Sequence, residues 1–205
     1  VRNALSLITA EETVAVDAPG GVDPVLDADL VLYVLPGTLN SADRRALESL
    51  RPDRTLVVLN KADGCGARWS DAARAAESHS AALGIRTLPA VASLAARTRT
   101  GTLTDADLRT LRRHHERIDP AFTLVPELFA DPALAEDAEA RLELLERWEL
   151  YGVGCALTAL RYEPELAPQP LLQILHSASG IDPIYRALHC RYERAAAEIA
   201  GQPAE

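Results

Sequence analysis

Methionine does not occur among the 205 residues. The chain also starts at Val1 inside what already reads as folded sequence, and together these predict a piece of a longer polypeptide. Cysteine is nearly as scarce. Cys65, Cys155 and Cys190 form an odd, scattered set with no CxxC, which excludes a disulfide framework and suits reduced thiols in a cytoplasmic protein. Basic residues are in deficit, 21 Lys and Arg against 30 Asp and Glu, for a formal charge of −9. That balance argues against a nucleic-acid partner, whose binding surface needs an excess of positive charge. No apolar run approaches the roughly 20 residues that cross a bilayer, and no signal peptide opens the chain, so membrane contact is at most peripheral. What remains is enough for a folded core. The chain is 48% hydrophobic and 25% charged, which excludes wholesale disorder, and its length suits one compact domain or one and a half.

The two halves of the chain have different periodicities. From Val1 to about Arg97, short β-type runs alternate with helical stretches. Ala4–Ile8 and Thr13–Val16 read as strands, the second stopping at Asp17-Ala18-Pro19-Gly20-Gly21. Leu30–Leu35 is a continuous apolar run ended by Pro36-Gly37, the pattern of a strand buried on both faces. Asn40 is placed to cap a helix carrying Ala46, Leu47 and Leu50. Leu56–Leu59 reads as a second buried strand, and Ser70 as the cap of an Ala-rich helix that stops at Gly84. Thr87 to Ala92 gives a last short strand. Strands alternating with helices predict an α/β fold with a mostly parallel sheet.

Beyond the polar boundary at 97–101 nothing reads as strand, so 98–205 is expected to be a helical domain. Thr104 with Asp107 resembles a capping box for a helix reaching about Arg117. One long helix is expected from Pro132 to Tyr162, with Leu134, Ala138, Leu142, Leu145, Trp148, Gly152, Cys155 and Ala159 on its apolar face. A Pro-rich link (Pro164, Pro168, Pro170) precedes a short helix at Leu171–His176. The last helix starts at Asp182-Pro183 and turns Tyr185, Leu188, Tyr192, Ala196 and Ile199 inward.

Two short motifs carry chemistry, each directly after a strand. In Asn60-Lys61-Ala62-Asp63 the carboxylate of Asp63 can accept from both N1–H and the exocyclic amine of guanine, a donor pair that adenine lacks. Asn60 can tie neighbouring loops together and reach the base, while the Lys61 stem can lie along the ring. The plainer reading of these residues is a turn in which Asn and Asp cap backbone groups. In Asp17-Ala18-Pro19-Gly20, an Asp at a strand end can hold Mg²⁺ through water, and Gly20 lets a backbone N–H approach a terminal phosphate. Its plainer reading is again a turn.

The order strand–DxxG, strand, helix, strand–NKxD, helix, strand–loop resembles the translation-factor-related class of P-loop GTPases, from about the second strand of the G domain onward. The resemblance covers roughly the first half of the chain, 1–97. It implies that Asn60, Lys61 and Asp63 read guanine, that Asp17 serves the Mg²⁺ shell and that Gly20 meets the γ-phosphate. Val91-Ala92-Ser93-Leu94 resembles the family's fifth motif, where a backbone N–H meets the guanine oxygen. Here Ala92 stands where the family has Ser, and Ser93 and Leu94 complete the motif. The helical remainder, with Leu150-Tyr151-Gly152 and Ser179-Gly180-Ile181-Asp182, is similar in style to bacterial dynamin-like GTPases.

The sequence departs from the family in two places. No GxxxxGK[ST] occurs in it, so nothing here cradles the α- and β-phosphates. Gly21 follows Gly20, so the water-positioning Gln of Ras-like enzymes is also missing. In this family the strand before the phosphate loop lies between the DxxG strand and Leu30–Leu35, so without it those two strands would lose their shared partner. The expectation is therefore a GTP-binding protein, with Mg²⁺ and GTP or GDP as cofactors, whose helical half couples nucleotide state to a protein partner or to self-association. The alternative is an inactive pseudo-GTPase that serves as a binding scaffold. No residue of a hydrolytic apparatus is identifiable. His114-His115, beside Arg109, Arg112, Arg113 and Arg117, are read as a solvated face and not as metal ligands.

Overall fold

The computed structural model describes residues 28–117, 120–123, 125–133 and 136–200. The strands expected at Ala4–Ile8 and Thr13–Val16, together with Asp17 and Gly20, lie outside the described residues, as does Leu134. By tertiary contacts the chain divides into two compact units. One comprises the residues up to Ala92 together with those from Gly180 onward; the other is Ser93–Ser179. The expected division put 98–205 together as one helical domain, whereas the last helix belongs with the strands.

The fold is α/β: a small parallel sheet in a mostly helical chain. Strands β1 (Val31–Leu35), β2 (Thr55–Asn60) and β3 (Thr87–Ala90) lie in the order β1-β2-β3. Val31 pairs with Thr55 at one end and Asn60 with Ala90 at the other. Residues 55–59 of β2 are buried without exception, as a strand of apolar side chains on both faces requires. β1 differs from its expected double-sided burial. It has only β2 beside it among the described residues, and Val34 is 39% exposed.

Helix α1 (Ser41–Glu48) starts where Asn40 accepts from the amides of Ala42 and Asp43 at 2.8 and 2.9 Å. Asp43 returns a bond to the Asn40 amide at 3.0 Å, closing a capping box, and accepts from the Tyr33 hydroxyl at 2.8 Å, tying the helix start to β1. Helix α2 (Trp69–Leu83) is capped two residues earlier than Ser70. Arg68 is the N-cap residue and its amide donates to Asp71 at 3.1 Å. Gly84, at φ 65°, ends the helix as expected. On one face of the sheet Leu35, Val57 and Leu59 pack with Leu47, Ala76 and Ile85. Helix α8 (Ile181–Ala200) contacts β2 and β3.

The inward face of α8 is not the expected one. Ile181, Ile184, Ala187 and Ala195 are buried, whereas Tyr192 is 41% exposed. Small and β-branched side chains let the helix approach a strand closely; a tyrosine at the contact would hold it off. Gly180, which precedes α8, sits at φ +74°. A Cβ there would fall 2.6 Å from the Pro89 carbonyl oxygen and 2.7 Å from the Trp69 ring. Backbone conformation and close approach both demand glycine at this position. Gly180→Ala should therefore destabilise the first unit by more than about 1 kcal/mol. Urea unfolding followed by Trp69 emission would show this as a lower midpoint at unchanged slope.

The second unit is all-helical among its described residues: α3 (Ala92–Thr100, which starts on the last residue of the first unit), α4 (Asp105–His114), α5 (Pro126–Phe129), α6 (Ala138–Tyr162) and α7 (Pro168–Ala178). The capping box of α4 is formed, with the Asp107 amide donating to Thr104 at 3.1 Å and Asp107 accepting from the Thr104 amide at 2.9 Å. Helix α7 starts at Pro168, so Pro168 and Pro170 lie in its first turn, where a missing N–H costs nothing. Helix α6 begins later than expected, at Ala138, and is interrupted at Glu149 (φ 55°, ψ 169°). Before the break its buried face is Arg141, Leu144 and Trp148, and Leu142 is 49% exposed.

A buried ionic cluster explains that shift of face. Arg141 is fully buried; its Nε donates to Asp137 at 3.1 Å and its Nη2 to the Asp131 carbonyl at 3.0 Å, with a further bond from Nη1 to the Phe129 carbonyl. His114, expected on a solvated face, is 3% exposed. Its Nε2 meets Asp137 at 2.9 Å, and its ring lies 5.5 Å from that of Phe122. Burial holds His114 below its ordinary pKa; Asp137 opposes this, while the Arg117 and Arg141 charges add to it. Burial also resists ionisation of Asp137, but His114, Arg113 and Arg141 together outweigh it and keep that carboxyl below its usual range.

Both shifts act in the same direction. The unfolded chain takes up the histidine proton first, so this contribution is complete above about pH 6.5 and is lost as pH falls below it. The carboxylate contribution is present above about pH 4 and is lost below that. Thermal unfolding of the chain should show a falling Tm between pH 7 and pH 5. In His114→Gln the fall over that interval should be smaller.

Candidate functional site

Of the sequence-predicted site residues of the first unit, Asn60, Lys61, Asp63 and Ala92 lie at the carboxyl-terminal end of its parallel sheet, where open α/β sheets bind ligands. Asn60 is the last residue of β2 and is half-buried. Its Oδ1 accepts from the Ala92 amide at 3.1 Å, so one side chain joins the segment after β2 to the segment after β3. This is the tie between neighbouring loops that the motif predicts.

Lys61 follows in the left-handed region, at φ 56° and ψ 41°. For a residue with a Cβ this conformation costs on the order of 1–2 kcal/mol, and such outliers concentrate at functional sites. It turns the chain out of the strand and into a 3₁₀ turn, Ala62–Cys65, closed by the Gly64 amide donating to the Lys61 carbonyl at 3.0 Å. Ala62 anchors the turn with 3% exposure, and Asp63 beside it is exposed. The Asp63 carboxylate has no hydrogen bond or ion pair among the described residues, so both its oxygens are free to accept. The turn reading of Asn60-Lys61-Ala62-Asp63 needs Asn and Asp to cap backbone groups. Asn60 does so across loops, and Asp63 does not. At the same sheet end the ring of Trp69, 40% exposed, lies close over Gly180.

Ala92 is buried and its amide is committed to Asn60, so it is not free to meet a base oxygen. Ser93 and Leu94 belong to the second unit. The Ser93 hydroxyl donates to Glu149 at 2.7 Å, and Arg97 donates to the other oxygen of the same carboxylate at 2.8 Å. Glu149 is the residue whose positive φ breaks α6, so its side chain and its backbone strain belong to one local arrangement. Leu94 is 1% exposed; a Cβ on Gly152 would reach its Cδ1 at 3.0 Å. Leu94 is a core residue of that unit. Asp17 and Gly20, expected to serve Mg²⁺ and the terminal phosphate, lie outside the described residues, and among those described no group of His, Cys, Asp and Glu is arranged to hold a metal ion.

Sequence reasoning missed the arginines at the opposite end of the same unit: Arg86, Arg186, Arg191 and Arg194. The spacing of the last three along one helix was the available signal. No helix among the described residues is long and apolar enough to cross a membrane. Compared with known proteins, the chain matches no family model, no curated protein and no solved structure.

Removing the Asn60 side-chain acceptor leaves the Ala92 amide without its partner. Asn60→Ala should cost about 1–3 kcal/mol, the penalty of a buried donor left unpaired, and Asn60→Asp, which keeps the acceptor, should cost less. Amide hydrogen exchange at Ala92 is the local readout, and it should accelerate in Asn60→Ala.

Proposed function

We propose that the first unit is a guanine-nucleotide-binding module of the translation-factor-related P-loop GTPase type. In this reading the free carboxylate of Asp63 accepts from N1–H and the exocyclic amine of guanine, and Lys61 lies along the ring. Asn60 holds the loops on either side of the base in register. Asp17 and Gly20 would serve Mg²⁺ and the terminal phosphate of GTP. The observation that carries the reading is the Asn60–Ala92 bond at the carboxyl end of a parallel sheet, followed at once by a strained Lys61 and an unpaired Asp63. A turn that served only to connect β2 to α2 would need neither the positive φ nor a free carboxylate. The helical second unit would then be the output, coupling nucleotide state to a protein partner or to self-association, in the style of dynamin-like GTPases.

A second reading, an inactive scaffold descended from such a module, is favoured by one observation: the hydroxyl of Ser93, in the stretch resembling the fifth motif, is already held by Glu149.

Titration with GDP, GTP and ATP, followed by NMR of the Lys61, Asp63 and Ala92 amides, separates the two. A nucleotide-binding module should favour the guanine nucleotides by about tenfold or more, the worth of a charged, doubly hydrogen-bonded contact. The preference should disappear in Asp63→Ala. Equal shifts with all three nucleotides, or none at millimolar concentration, would leave the scaffold.

A further inference from the structure

At the amino-terminal end of the sheet, Arg86, just before β3, and the stretch of α8 from Pro183 to Arg194 border an open cleft of about 450 Å³. Arg86, Arg186, Arg191 and Arg194 line it together with Pro183, Ala187 and Cys190, and no carboxylate does. An adjoining cleft of about 360 Å³ shares Arg86, Arg191 and Arg194 and adds Arg54, Asp53 and Glu198. Its two carboxylates are already engaged: Asp53 pairs with Arg51 at 2.7 Å and Glu198 with Arg54 at 3.0 Å. The guanidinium groups of Arg86, Arg186, Arg191 and Arg194 make no ion pair or hydrogen bond among the described residues. In a chain of net charge −9, four unpaired guanidinium groups share one concave surface.

Arg191 is the most telling of them. It falls on the inward stripe of α8, among Ile184, Ala187 and Ala195, where an apolar residue would pack without cost. Its guanidinium is half-buried, and its Nε is buried with no partner. Burial, then the neighbouring Arg86 and Arg194 charges, hold its pKa below the ordinary value. Like charges gathered at a partly buried point destabilise a fold unless an anion offsets them. Guanidinium forks match phosphate oxygens in pairs, and a cleft of this volume is in the range that accepts small phosphorylated ligands.

We propose that this cleft is an anion site for a phosphate-bearing ligand, a phosphomonoester or pyrophosphate group held by Arg86, Arg191, Arg186 and Arg194. It is separate from the guanine reading. Arg86 directly precedes β3, whereas Asn60 and Ala90 end β2 and β3. The six residues of β2 put about 17 Å between the two ends of the sheet. The phosphate group can belong to a soluble metabolite or to a lipid headgroup; the recognition chemistry is the same.

The test is calorimetric titration of the 205-residue chain with inorganic pyrophosphate at low salt, beside sedimentation with vesicles of phosphatidylcholine alone or containing phosphatidic acid. Pyrophosphate should bind and raise Tm. The exposed pair Arg186→Gln and Arg194→Gln should weaken binding at least tenfold, and the matching Lys substitutions should retain most of it. Asp63→Ala should leave pyrophosphate binding intact, so failure of the guanine reading and failure of this one are told apart. Co-sedimentation with phosphatidic acid vesicles that pyrophosphate competes away assigns the site to a headgroup; pyrophosphate binding without it assigns a soluble ligand. No binding of either, or binding that the Gln pair does not weaken, overturns the proposal.

Discussion

A strand that is apolar on both faces must be covered on both, and Thr55–Asn60 imposes that demand on everything near it. Strands on either side pair with its backbone, α1 and α2 pack over one face, and α8 returns to the sheet from far along the chain. Residues 55–59 are buried without exception, and the strand emerges only at Asn60. Because the strand cannot shift register without exposing its side chains, the position of Asn60 at its end is as well defined as the core itself. The candidate site therefore rests on a rigid support although most of its residues are exposed.

The loop after this strand shows how such support is used. Asn60 has a side chain able to accept a backbone amide, and it spends that capacity on Ala92. Lys61 takes a conformation that a residue with a Cβ avoids, which a flexible connection would relax and a rigidly anchored one can hold. Asp63 then projects from the turn without a partner. Rigid anchors followed by an uncommitted charged group are what a recognition edge requires, since preorganised donors and acceptors lose little on binding.

The second unit has its own organising contact. Asp137 gathers His114, Arg113 and Arg141 in a largely buried cluster, and Arg141 spans to the Phe129 and Asp131 carbonyls. A fully buried guanidinium is tolerable because its donors find oxygen on several sides. Removing one partner would strand the others, so the cluster is a unit and not a set of separate pairs.

Local signals were legible in the sequence because they depend on neighbouring residues. The strands at Leu30–Leu35 and Leu56–Leu59, the caps at Asn40 and Thr104 and the stop at Gly84 follow from apolar runs, side-chain acceptors and glycine's access to positive φ. The α/β class follows from their alternation. Which helical face turns inward did not follow, because it depends on what lies opposite. Arg141 is buried and Leu142 exposed since Asp137 and two carbonyls await the guanidinium. Tyr192 stays outside since small residues let α8 approach the sheet. The same limit applies to the site. Sequence alone determined that Asn60, Lys61 and Asp63 follow a buried strand. Tertiary structure decided that the Ala92 amide meets Asn60, that Leu94 is core, that Ser93 is held by Glu149 and that four arginines converge on one cleft. Periodicity is a property of a segment, whereas a contact needs two segments at a defined separation, and only the packed chain sets that distance.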